Sequence, residues 1–147
     1  MSPETLFRVV STAIVPGWLL LILAPRARIT ERLVWSGLYS LLFAAVYLAL
    51  IVIFFPGAQG GFGSLAEVEE LFRNPYLLLA GWVHYLAFDL FVGAWEARDA
   101  AGRGVPHALL IPCLILTFFF GPIGLLAHYG VRALASRRRG PANDAAR

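Results

Sequence analysis

The chain has no lysine. All 12 of its basic residues are arginine, which excludes Schiff-base chemistry with retinal, pyridoxal phosphate or a carbonyl substrate. Cys113 is the sole cysteine. That rules out an intrachain disulfide, an iron–sulfur cluster and a cysteine-type zinc site. Neither HExxH nor paired Glu-x-x-His occurs, and there is no H-x-E followed by C-x-x-C. No metal and no cofactor is therefore expected. The one dense basic run, SRRR at 136–139, is short and no domain follows it, so no nucleic-acid partner is expected. The opening residues SPET are not basic. PRAR follows the first apolar run where small residues would mark cleavage, so no cleaved signal or transit peptide is expected.

Charge is scarce too. Charged residues are 14% of the 147 and hydrophobic ones 59%, whereas soluble domains are about half apolar and a quarter charged. The composition implies an all-α integral membrane protein, in the inner membrane if the host is bacterial. The expected architecture is a four-helix bundle forming one domain, 1–135, with spans near 6–23, 33–55, 76–95 and 107–134. A disordered basic tail, 136–147, follows.

Local signals support those boundaries. Ser2-Pro3 reads as an N-cap with proline in the first turn. Pro16 should kink span one, because it removes a backbone donor. Thr30 can cap span two. On that span Ser36, Ser40 and Ala44 recur every fourth residue, a spacing that lets helices approach closely in lipid and offers a face for a homo-oligomer. Tyr39 and Tyr47 read as packing residues. After the flexible GAQGGFG stretch, Ser64 to Glu67 forms a capping box. It opens a short amphipathic helix with Leu65, Val68, Leu71 and Phe72 on one face. Its expected place is the membrane interface, as an anchor or a lid. Asn74-Pro75 starts span three. The last span carries Pro112, Gly121-Pro122 and Gly124. A re-entrant break at Gly121-Pro122 is the alternative there. The 14 residues before it would reach only about 21 Å, so one bent, continuous span is expected. On that reading loops one and three carry five arginines and the other side six, and the positive-inside rule chooses no orientation.

Span three, PYLLLAGWVHYLAFDLFVGAWEARD, organises the rest. His84 and Asp89 stand near its middle and Glu96 and Asp99 at its far end. An ionisable group at membrane depth costs roughly 2.5 kcal/mol or more, which makes a functional site the default reading. At 100° per residue, Tyr85, Asp89, Gly93 and Glu96 share a side, while His84 points about 140° from Asp89. Asp99 and Arg103 can pair at i, i+4. An antiparallel hairpin centred near residue 102 sets Glu96 level with His107. That pair would be an acid–base couple, or a hydrogen bond tying two helix ends. His128 and Tyr129 read as an interfacial anchor. The candidate catalytic residues are His84, Asp89, Glu96 and His107.

The block GWVHYLAFDLFVGAWE, followed by PCLILTFFFGPIG, resembles the abscisic-acid-deficient-four-like membrane family over roughly residues 3 to 135. Plant members are plastid membrane proteins needed to convert violaxanthin to neoxanthin. The resemblance implies a membrane enzyme of carotenoid or isoprenoid metabolism, an intramolecular isomerase of the neoxanthin-synthase kind that uses no redox cofactor. Its partners would be membrane lipid and an apolar isoprenoid or carotenoid ligand. Epoxide opening needs a general acid and a general base in a dry slot. The alternatives are a non-catalytic carotenoid- or lipid-binding protein and a small transporter or metal-site protein.

Overall fold

The structure, a computed structural model, describes residues 1–138, with side chains through residue 135. The described residues are all-α. Helices α1 (Pro3–Ala13) and α2 (Val15–Leu23) make one broken segment. A three-residue turn, α3 (Arg28–Thr30), runs through a π-helical turn (Glu31–Trp35) towards α4 (Leu38–Phe54). Then come α5 (Leu65–Phe72), α6 (Pro75–Gly102), α7 (His107–Phe120) and α8 (Pro122–Arg138). Among the described residues three segments are long and apolar enough to cross a membrane: Pro3–Leu23, Arg28–Phe54 and Pro75–Gly102. The predicted tail begins inside α8, and its remainder, 139–147, lies outside the described residues.

The starts follow the sequence signals. Ser2 accepts from the Thr5 amide at 3.2 Å, Ser64 from the Glu67 amide at 3.2 Å, and Asn74 Oδ1 from the Tyr76 amide at 3.0 Å. Glu67 reaches back past the cap residue and accepts from the Gly63 amide at 3.0 Å, one residue earlier than in a capping box. Thr30 differs from expectation. It lies inside the turn, fully buried, and donates to the Ala24 carbonyl at 2.6 Å, closing the loop behind α2.

The break at Pro16 has a tertiary partner. Beside the proline, the Gly17 amide bonds Ile14 rather than the Ala13 carbonyl one residue further back. Tyr39 of α4 donates to that carbonyl instead. Read from sequence as a packing residue, Tyr39 thus supplies the hydrogen bond that the broken helix gives up. Tyr39→Phe is expected to lower unfolding free energy by about 0.6–1 kcal/mol, measured by titration into denaturing detergent.

Everything packs on α6. Helices α1 and α2 run parallel to it: Met1 O meets the Tyr76 hydroxyl, Ser11 accepts from Trp82 Nε1 at 2.9 Å, and Trp18 lies on Gly93. A Cβ at Gly93 would stand 2.8 Å from Trp18 Cη2, so only glycine admits the indole. Helix α4 runs antiparallel. Phe54 stacks on Tyr76 at 3.9 Å, and Arg98 donates to the Trp35 carbonyl.

The C-terminal segment departs from the expected fourth span. Tyr85 of α6 donates to the Phe118 carbonyl at 3.0 Å, while Asp99 of α6 meets His128 at 3.1 Å. Tyr85 and Asp99 lie about 21 Å apart along α6. Ten residues of chain therefore travel back along the helix that α7 has just descended. The reversal falls at Gly121, whose φ of 41° and ψ of −93° suit glycine alone. Pro122 then begins α8. Helices α7 and α8 form a hairpin that returns to its starting end, so His128 sits beside the α6 C-terminus rather than at the opposite surface.

Candidate functional site

Helix α6 presents its acids to α7 and α8 at three depths. The deepest is Asp89, half-buried against the hairpin tip. A Cβ on Gly121 would lie 2.8 Å from Asp89 Oδ1. Asp89 Oδ2 is buried without a hydrogen-bond partner among the described residues. The Tyr85 hydroxyl stands beside this carboxyl, while its own hydrogen goes to Phe118. A tyrosine oxygen so placed can accept from a protonated Asp89.

Glu96 is next, fully buried. Thr117 Oγ1 lies 3.0 Å from each of its carboxyl oxygens. Outermost is Asp99, which gathers His128 Nε2 at 3.1 Å, Arg103 Nε at 2.8 Å and Arg132 at 3.6 Å. Because Asp99 accepts, His128 Nε2 carries the hydrogen. Trp95 packs edge-on against that imidazole, with ring centroids 5.4 Å apart.

The expected Glu96–His107 pair is not formed. Glu96 bonds Thr117, and His107 Nε2 bonds the Ile22 carbonyl at 2.9 Å, tying α7 to the end of α2. The reason is directional. Helical side chains lean towards their own N-terminus. In an antiparallel hairpin Glu96 leans inward and His107 outward, so equal backbone depth does not bring them together. His84 faces another groove, exposed, stacked on Phe88 at 4.7 Å and edge-on to Tyr47 at 5.5 Å. The four sequence candidates are thus spread over separate places. Sequence reading assigns no site role to Thr117, takes His128 as an interfacial anchor and takes Gly121 as a bend or, alternatively, a re-entrant break. The Gly-Pro step was the one signal that pointed to them.

An open groove of about 800 Å³ runs between α1, α5 and α6. Phe7, Leu78, Leu79 and Trp82 line its length, Glu4 and Arg8 stand at one end, and Tyr85 is also part of its wall. It lies on the α1 side of α6, not between α6 and α7 where an entrance beside Glu96 would need it. Phe72 of α5 forms one wall, 3.3 Å from where a Cβ on Gly81 would be. Among the described residues no three of His, Cys, Asp and Glu stand close enough to hold a metal.

Residues 5–128 match the model of the ABA DEFICIENT 4-like family. The chain is similar to Protein ABA DEFICIENT 4, chloroplastic, of Arabidopsis thaliana, with 23% identity over 145 residues. That similarity covers 92% of this chain and 64% of the relative, so the chain spans somewhat under two-thirds of the relative's length. No solved structure matches. The family match takes in every polar residue of the α6 seam as far as His128, and on that extent the chain belongs to the ABA DEFICIENT 4-like family.

Proposed function

We propose that the chain is a membrane protein of carotenoid or isoprenoid metabolism that opens an epoxide in its apolar ligand by acid–base catalysis. The observation that carries this reading is the groove of about 800 Å³ with Tyr85 in its wall and Asp89 beside that hydroxyl. The three apolar segments cross the bilayer, the α7–α8 hairpin enters and returns, and α5 lies at the interface beside the groove mouth.

In this mechanism Asp89 holds a proton and Tyr85 presents it. The Tyr85 hydroxyl turns from Phe118 to the epoxide oxygen. It delivers its hydrogen as the C–O bond breaks and takes the Asp89 proton in exchange. The carbocation left behind then loses the neighbouring vinylic proton to Asp89, by the same hydroxyl. The C–H electron pair becomes the second double bond of an allene, and the oxygen remains as a hydroxyl. Substrate and product are isomers, so the step consumes no oxidant. Glu96 and His107 serve the packing of α7 in this reading, and His84 takes no part.

A non-catalytic ligand-binding protein is the second reading. Its support is the sparse polar lining of the groove, where Tyr85 is the one acid–base group away from the Glu4–Arg8 end. The two separate in proteoliposomes supplied with violaxanthin and assayed by chromatography. Conversion to an allenic isomer by the wild type, abolished together with binding by the groove-filling Gly81→Leu, is the expected result. Binding without conversion establishes the second reading, and neither binding nor conversion removes both.

A further inference from the structure

At the far end of the bundle from the groove mouth is a smaller cavity of about 380 Å³. It lies between the loop after α2, the last turns of α6 and the start of α7. Its floor is small and apolar, with Ala97, Ala100, Ala101 and Leu110. Its polar character comes from Arg26, Trp35 and His107. Among the described residues the Arg26 side chain has no hydrogen-bond or ion-pair partner. Trp35 Nε1 is buried with no acceptor. Arg98 donates to the Trp35 backbone carbonyl, which fixes the main chain at this point of the wall. A buried donor left unmatched costs about 1–3 kcal/mol, and the ring that carries it is part of the cavity wall.

The charge around the cavity has one sign. Arg28 and Arg32 are exposed beside it, and their side chains too are unpaired among the described residues. Asp99, the acid of this end of α6, is already engaged by Arg103, Arg132 and His128. The acid in the adjoining turn is Glu31, exposed and separated from Arg26 by α3. Leu23, Ile29 and Leu109 lie on the flanking elements as exposed apolar side chains. Arg26 is exposed at the rim, the Trp35 ring forms part of the wall, and bare hydrocarbon surrounds them. Basic pockets between membrane helices take lipid headgroups in this way.

We infer that this cavity binds the phosphate of an anionic phospholipid, with Arg26 as the cation and the Trp35 indole as a donor. The headgroup fills the alanine-floored space, and the acyl chains lie outside over Leu23, Ile29 and Leu109. His107 Nε2 is held by Ile22, so His107 acts as wall. The site rests on the reading that the chain is embedded in a bilayer.

The test uses the full chain in detergent micelles, titrated with phosphatidylglycerol, phosphatidylcholine or inorganic phosphate, and read by thermal unfolding and by native mass spectrometry. Phosphatidylglycerol alone is expected to raise the melting temperature and remain bound in the wild type. Arg26→Gln should lose both effects. Trp35→Phe, which deletes only the N–H, should weaken retention without changing the circular dichroism spectrum. Equal stabilisation by phosphatidylcholine, equal stabilisation by inorganic phosphate, or full retention in Arg26→Gln would each overturn the site. Failure of the chain to fractionate with membranes would remove the embedded reading itself.

Discussion

Asp89→Asn should fold as the wild type does, bind violaxanthin, and convert it roughly 10²–10⁴-fold more slowly, the range seen when a positioned acid–base group is removed. The fold is expected to hold because the two side chains are nearly isosteric. The space against Gly121 is set by the heavy atoms both possess, with Asp89 Oδ1 2.8 Å from where a glycine Cβ would lie. The buried Oδ2 has no partner to lose, and an amide there can donate to the Tyr85 oxygen. The proton that leaves and returns in the mechanism, however, has no carrier in Asn. Tyr85→Phe should slow conversion comparably, but it should also cost stability, since it strips the Phe118 carbonyl of its donor at 3.0 Å. That contrast separates a chemical role from a structural one. Asp89→Asn with wild-type turnover would remove Asp89 from the mechanism whatever happened to Tyr85.

Features decided within a few residues were legible in the sequence. The caps at Ser2, Ser64 and Asn74, the interruption near Pro16, and α6 as the helix everything else meets are all local or compositional properties. The i, i+4 pair of Asp99 and Arg103 belongs with them, and it forms at 2.8 Å. The direction of chain after Gly121 was not decided locally. A Gly-Pro step in a long apolar run is compatible with a kink or a reversal. The reversal rests on Tyr85 holding Phe118 and Asp99 holding His128, contacts separated by 33 and 29 positions in the chain.

The site suffered from the same limit. Helical periodicity correctly set His84 and Asp89 on different flanks. Depth counting across the hairpin then matched Glu96 with His107, because it treated side chains as pointing straight out. Their lean along the helix carries them about a turn in opposite directions. Thr117, from deeper in α7, takes the place assigned to His107. His128 read as an anchor for a similar reason: a continuous last span would have carried it to the opposite surface.

On the proposed embedding, the reversal also bears on orientation. With a continuous last span the arginines divided almost evenly between the two sides. With the hairpin, Arg132, Arg137 and Arg138 of α8 return to the end that already holds Arg26, Arg28, Arg32, Arg98 and Arg103. Arg8 and Arg73 remain at the other end, so the balance among residues 1–138 is eight to two. Such a bias places the rich end on the side from which the chain inserts. The N-terminus should therefore be translocated, and the C-terminus should stay on the side of insertion. On the proposed embedding, with three spans and a hairpin that enters and returns, the two ends should lie on opposite faces. In a bacterial expression host, a fluorescent protein fused after residue 147 should be bright and alkaline phosphatase at the same place inactive. At the N-terminus, a single introduced cysteine should react with a membrane-impermeant maleimide in intact spheroplasts. Both ends on one face would restore a fourth crossing and would separate His128 from Asp99 in the membrane. It would also withdraw the arginine-rich end on which the phospholipid site depends.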